Sequence, residues 1–182
     1  MEWIEVVDSA IKIGLGAAIS GLATYAVTKQ THIRELQKIA YIRRLDSLEQ
    51  VSDKTEQHFA AWRSLTSKLG GIYSGRHPPD PNFSEAQWKQ ILAKDKDLLE
   101  TKEEMNHAIA RLRLLSATDA AACLSTYSKS VGDFRNNLIL QRQTPTKENF
   151  TSARKEVNIS ITKFHKTMSA TYLAAQSAST ST

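Results

Sequence analysis

The residues of this chain that could carry chemistry are few, and their spacing does not assemble a site. Glu104 and His107 have the Glu-x-x-His spacing that puts two metal ligands on one helical face in di-iron bundles. That centre needs a second pair, but His165 has Thr162 where the second glutamate is required. Cys123 is the only cysteine, and no histidine that would activate it as a nucleophile can be identified. We therefore expect no metal site, no cofactor and no enzymatic activity.

Sequence motifs of other activities are missing as well. The chain contains no glycine-rich phosphate loop, no His-Glu-x-x-His motif, no Cys-x-x-Cys pair and no Gly-x-Ser-x-Gly elbow. The net charge is +5, but 19 acidic residues are interleaved with 24 basic ones, so no dense basic block marks a specific nucleic-acid site. A single cysteine excludes an internal disulfide and suits a reducing compartment.

Long stretches without glycine or proline predict an all-α fold. All 4 prolines, and the glycines after Gly21 except Gly132, fall in a loop predicted at 70–83 or at Pro145. Elsewhere apolar residues recur every three or four positions, the period of an amphipathic helix. This pattern predicts helices at about 29–69, 84–116, 118–143 and 145–176, followed by a disordered tail at 177–182. Short turns join the last three, which predicts an elongated antiparallel bundle with seams like those of coiled coils.

One helix start is marked with particular clarity. Ser84 and Gln87 have the spacing of a capping box, and Phe83 and Trp88 have that of a hydrophobic staple. A helix that starts there buries Trp88 in its first turn. Other side chains expected in the core of the bundle include Trp62 and Cys123.

The first thirty residues follow a different pattern. Residues 13–27 include no charge, but at 1.5 Å per residue they extend only about 22 Å. Residues 3–27 extend about 37 Å, which is enough for a hydrocarbon core of roughly 30 Å if Asp8 and Lys12 are tolerated there. We therefore expect residues 1–28 to form a transmembrane helix that continues into the bundle of residues 29–176. A soluble or surface-lying helix is the alternative.

At 100° per residue this helix has two unlike faces. One face is apolar, and the other carries a polar stripe of Asp8, Lys12, Gly16, Ser20 and Thr24. Small residues let helices approach closely in lipid, and ionisable groups there usually face other helices or water. We therefore expect the polar stripe to face sister subunits. Two interpretations stay open, a close helix–helix contact and the lining of a narrow pore.

The residues that flank the predicted span indicate its orientation. A basic flank follows the span and consists of Lys29, Arg34, Lys38, Arg43 and Arg44. Because basic flanks stay in the cytoplasm, we expect the N-terminus outside the inner membrane and the body of the protein in the cytoplasm. The basic flank then lies at the membrane surface near anionic headgroups, and Trp3 anchors the other interface.

These expectations describe assembly rather than catalysis. We expect a single-pass membrane protein that forms homo-oligomers through its N-terminal helix and binds the lipid bilayer, with a further cytoplasmic protein partner left open. In architecture, though not in any motif, it looks like many small bacterial membrane proteins, some of which are effectors of anti-phage defence. The sharper version of the expected function, taken from the polar stripe, is a pore-forming or membrane-disrupting effector controlled by the cytoplasmic bundle. A soluble or peripheral helical adaptor without a span is the alternative function.

Overall fold

The computed structural model describes residues 2–75 and 82–180, and these residues are almost entirely helical, which confirms the all-α prediction. The five α-helices are α1 (Glu2–Ser74), α2 (Glu85–Glu100), α3 (Lys102–Leu114), α4 (Thr118–Arg135) and α5 (Lys147–Thr180), with a π-helix (Asn136–Leu140) after α4. Residues 76–81 of the predicted loop and residues 181–182 of the predicted tail lie outside the described residues. The chain divides into two units, residues 1–43 and 44–182.

The second unit is a helical bundle around one apolar core. The seams that the three-and-four spacing predicts are buried, and Trp62, Trp88 and Cys123 are all in the core as expected. Aromatic rings from different helices meet edge to face in its centre, with ring centroids 4.7 Å apart for Phe59 and Tyr127 and 5.4 Å apart for Trp62 and Phe134. Such geometry adds roughly 0.5–1.5 kcal/mol per pair beyond the buried area.

The predicted start of α2 is confirmed in detail. The Ser84 amide donates to Gln87 Oε1 at 2.8 Å, and the Gln87 amide donates to Ser84 Oγ at 3.3 Å, so both halves of the capping box are formed. The rings of Phe83 and Trp88 pack edge to face with centroids 5.3 Å apart, which completes the staple. Two amide donors at the helix start are thereby satisfied without water.

The structure differs from the predicted pattern where the chain was expected to form one helix over 84–116. That stretch is two helices separated at Thr101, whose hydroxyl donates to the Leu98 carbonyl at 3.0 Å. A threonine that bonds its own backbone competes with the helical hydrogen-bond ladder. The same hydroxyl lies 2.8 Å from His58 Nδ1, so a contact from another helix holds the interruption in place.

Two helix ends also extend beyond their predicted limits. Helix α1 continues past Gly70 to Ser74, because Ile72 is buried and Tyr73 stacks on Phe150 with centroids 5.2 Å apart. This packing outweighs the roughly 1 kcal/mol that a helical glycine costs. Helix α5 runs to Thr180, so residues 177–180 are helical where a disordered tail was expected. The last turns of α5 contain alanine, the best helix former, at Ala170, Ala174, Ala175 and Ala178.

Candidate functional site

The first unit exposes its large apolar side chains. Trp3 is 83% exposed, Ile13 73%, Leu22 70% and Tyr25 67%. Among the described residues, one helix is long and apolar enough to cross a membrane, and none of its apolar window is buried. The core helix of a water-soluble protein is mostly buried, so this helix does not match that pattern. Its length and composition also fit a signal sequence, which would lie at the same end of the chain.

Two hydrogen bonds form between residues of the polar stripe within this helix. Lys12 Nζ lies 2.6 Å from Asp8 Oδ2, which forms the ion pair expected from their four-residue spacing. The Ser20 hydroxyl donates to the Gly16 carbonyl at 2.8 Å. Thr24 is exposed on the same stripe. The ion pair and the serine hydrogen bond therefore both form within one helix, without a partner chain.

The glycines of this helix leave open space beside the backbone. A Cβ atom built at Gly16 or Gly21 meets nothing within 4 Å. The two residues are five positions apart, which places them about 140° apart around the helix. A bulky side chain at either position would therefore fit the isolated helix equally well, but only the one at Gly16 would lie on the polar stripe.

The five residues of the basic flank are divided between the two units. Lys29, Arg34, Lys38 and Arg43 are exposed in the first unit. Arg44 belongs to the second unit, where its Nη2 donates to the Leu115 carbonyl at 3.3 Å. That carbonyl lies at the C-terminal end of α3, where the negative end of the helix dipole favours a cation. Arg44 thus makes a surface hydrogen bond to the end of α3 that the sequence pattern did not indicate.

The bundle holds a buried histidine. His58 is 4% exposed, and its Nδ1 contacts the Thr101 hydroxyl. Its ring packs edge to face with that of Tyr127, with centroids 5.7 Å apart. Because the Thr101 hydroxyl donates its proton to Leu98, it accepts from Nδ1–H of a neutral imidazole. Burial, together with the positive charges of Lys102 and Arg135, lowers the pKa of His58 from 6.5 to about 4.

An ion pair inside the bundle was also not predicted. The Arg135 guanidinium binds both carboxylate oxygens of Asp95, with Nη2 to Oδ2 at 2.8 Å. The Asp95 side chain is 6% exposed and that of Arg135 is 15% exposed. The two hydrogen bonds to Asp95 raise the pKa of the guanidinium further, so Arg135 stays charged. The sequence does contain a signal for it, because Asp95 occupies the apolar register of Trp88, Ile91 and Leu98.

Two further polar atoms of the core have no hydrogen-bond partner among the described residues. They are the Trp62 Nε1 and the Tyr127 hydroxyl, both of which are fully buried. Burial raises the pKa of the Tyr127 phenol, so this hydroxyl stays protonated. Each unpaired group costs roughly 1–3 kcal/mol. The edge-to-face packing of both rings described above offsets part of this cost.

The candidate metal ligands and the candidate nucleophile do not form a common site. Glu104 binds Lys54, and this hydrogen bond lowers the pKa of the carboxyl. His107 is exposed, 4.0 Å from Glu103. Within residues 2–75 and 82–180, no group of three His, Cys, Asp or Glu side chains has the geometry to hold a metal ion. The buried Cys123 lies 3.7 Å from the Thr167 hydroxyl.

The exposed N-terminal helix is therefore the feature that stands out from ordinary bundle packing. In comparisons with known proteins, no family model, no curated protein and no solved structure matches this chain.

Proposed function

We propose that residues 3–27 cross the inner membrane once, with the N-terminus outside and the helical bundle in the cytoplasm, and that the protein self-assembles through this helix. The observation that carries the proposal is the run of exposed apolar side chains on a helix long enough to span a bilayer. The basic flank of exposed Lys29, Arg34 and Lys38 supports the orientation, since such residues stay on the cytoplasmic side.

Self-assembly through the polar stripe is supported by its chemistry. Asp8 is paired with Lys12, and the Ser20 hydroxyl is satisfied by Gly16. The internal ion pair and hydrogen bond lower the cost of placing these groups in lipid, and the open space at Gly16 allows close approach of a second helix. This favours a close contact between helices over a pore as the primary role. A pore-forming effector is the narrower version, in which Lys12, Ser20 and Thr24 line the lumen.

Extraction of membranes tests the anchor. We expect the full-length protein to stay in the membrane pellet at carbonate pH and to be released by detergent. Replacing Ile19 with arginine puts a charge near the centre of the span, which costs about 3–4 kcal/mol relative to isoleucine on insertion scales. The variant is expected to lose most of its membrane fraction. Release of the wild-type protein by carbonate would refute the span and favour a peripheral helical adaptor.

A matched pair of glycine variants tests the assembly. Gly16→Leu blocks the polar stripe, whereas Gly21→Leu adds the same side chain on another face of the same helix. We expect Gly16→Leu to abolish disulfide cross-linking of a Ser20→Cys reporter in membranes, in a Cys123→Ala background, and Gly21→Leu to leave it unchanged. Equal effects of the two substitutions would contradict an interface on the stripe.

A further inference from the structure

The exposed apolar surface of the first unit does not end at the predicted membrane boundary. Ile33 is 46% exposed, Leu36 is 53% exposed and Ala40 is exposed. Their spacing of three and four residues is that of positions a and d in a coiled coil. We define these three residues as the apolar seam. Ile39, which is 47% exposed, lies beside it.

Lipid cannot cover the apolar seam if the span ends at Val27. At 1.5 Å per residue, Leu36 lies about 13 Å and Ala40 about 20 Å beyond that point along the helix. The headgroup region adds only about 5–8 Å on each side of the hydrocarbon core. The seam therefore stands in the aqueous phase, where exposed leucine and isoleucine in a regular stripe indicate a protein contact.

The charges around the seam favour a helix of the same kind as its partner. Arg34, Glu35 and Lys38 lie more than about 120° from the middle of the seam, at the outer positions of a heptad. The positions that flank the seam hold His32, Gln37 and Ile39, so two parallel copies meet without a pair of like formal charges there.

We propose that the apolar seam of residues 33–40 binds the same seam of a second copy of this chain, in parallel orientation. This inference rests on the proposed membrane anchor, which sets both helices parallel and holds them at the same depth. Three seam residues would not hold two free helices together, but anchoring in one membrane confines the copies to one plane and raises their effective concentration.

The seam and the polar stripe then serve different neighbours. Counted at 100° per residue from Gly16, Leu36 lies about 200° and Ile33 about 260° round the helix. One pair of helices cannot use both faces at once unless the helices wind tightly about each other. A copy that joins one neighbour by the stripe and another by the seam belongs to an assembly larger than a dimer.

Disulfide cross-linking in membranes tests the seam. All variants carry Cys123→Ala, which removes the single native cysteine. A cysteine at a seam position faces its own copy within the roughly 7 Å between Cα atoms that a disulfide tolerates, whereas cysteines on the outer face are separated by more than a helix diameter, about 10 Å. We expect Leu36→Cys and Ile33→Cys to give dimers at least tenfold faster than Arg34→Cys and Lys38→Cys.

The outcomes separate this inference from the proposed function. Dimers at the seam cysteines alone support it. Equal or faster dimers at Arg34→Cys and Lys38→Cys overturn it, and so does a carbonate-resistant protein that forms no dimer at any of the four positions. A water-soluble maleimide gives a further test. If liposomes alone protect the seam cysteines from it, the seam lies at the membrane surface and the contact between copies is overturned. Seam dimers in a protein that carbonate releases would refute the anchor while keeping the seam contact.

The double variant Ser20→Cys/Leu36→Cys tests whether the two faces bind different neighbours. Each single variant is expected to stop at dimers, and the double variant is expected to give a ladder of larger products. Dimers alone from the double variant, with both single variants active, would show that one neighbour occupies both faces and would overturn the larger assembly.

Discussion

Acid is expected to destabilise the bundle through the buried imidazole of His58. The folded protein holds this ring neutral, with its pKa lowered from 6.5 to about 4 by burial and by the charges of Lys102 and Arg135. Between these two values the unfolded chain binds a proton that the folded chain does not bind, so the free energy of unfolding falls as pH falls. The stability is complete above pH 6.5 and is lost as pH drops towards 4.

The size of this effect follows from the pKa difference. About 2.5 pKa units correspond to roughly 3 kcal/mol, of which about 2–3 kcal/mol is lost between pH 7.5 and pH 4.5. This is a large share of the 5–15 kcal/mol typical of a domain. His58→Gln keeps an amide donor in reach of Thr101 and does not titrate, so it removes the histidine contribution to the pH dependence.

Urea unfolding of the full chain in a non-ionic detergent measures the effect, with the fluorescence of Trp62 and Trp88 as the signal. Unfolding of the wild type is compared at the two pH values with that of His58→Gln. His107→Gln is the matched control, because His107 is exposed and its ion pair with Glu103 is long, at 4.0 Å. A pH dependence as steep in His58→Gln as in the wild type, or a measured His58 pKa near 6.5, would refute the reasoning.

The remaining predictions concern single contacts. Asp95→Ala leaves the Arg135 charge unpaired and is expected to lower the free energy of unfolding in urea by about 3–5 kcal/mol. The apolar double variant Asp95→Leu/Arg135→Met is expected to recover most of this stability. An equal loss in both variants would contradict a charge effect. Ser84→Ala removes the cap of α2 and is expected to cost about 1 kcal/mol; an unchanged urea midpoint would exclude a role for the cap. If the assembly conducts ions, overexpression depolarises cells, Gly16→Leu abolishes this and Gly21→Leu does not; unchanged potential with abundant inserted protein would exclude the pore.

The bundle core could be predicted because its seams follow a single rule. Tyr127, Val131 and Phe134 are buried where the spacing of three and four requires, and Ile159, which lies off the stripe of α5, is 59% exposed. Hydrophobic burial depends mainly on which face of a helix a residue occupies, and the sequence specifies that face directly. The capping box is similarly local, since all its partners lie within four residues.

The polar interior could not be predicted in the same way. The interruption at Thr101 depends on His58, and the burial of Asp95 depends on Arg135, forty residues further along the chain. A charged residue at a core-facing helical position indicates a buried polar contact. The sequence pattern does not identify the partner of that residue, because the partner depends on which helices pack together and on how far along their axes they are shifted. The π-helix, closed by the Gln141 amide on the Asn136 carbonyl at 3.0 Å, likewise had no local signal.

The first unit follows the opposite rule from the bundle, and this is the strongest reason to place it in lipid. Ile13, Leu15, Ile19 and Leu22 are between 57% and 73% exposed. Burying side chains of this size is worth about 1.5–3 kcal/mol each, so these four alone amount to roughly 6–12 kcal/mol, as much as the stability of a whole domain.

The direction in which these side chains point also restricts what can cover them. Counted from Gly16, Leu22, Leu15 and Ile19 lie between about 240° and 300° round the helix, whereas Ile13 lies near 60°, beside the polar stripe, so the large apolar side chains are not confined to one narrow stripe. A single partner helix covers only one stripe, whereas a bilayer covers every face except the one that another helix occupies. A soluble adaptor would need a protein sheath around the whole segment. A single-pass helix with one contact along the polar stripe needs only a membrane and a second copy.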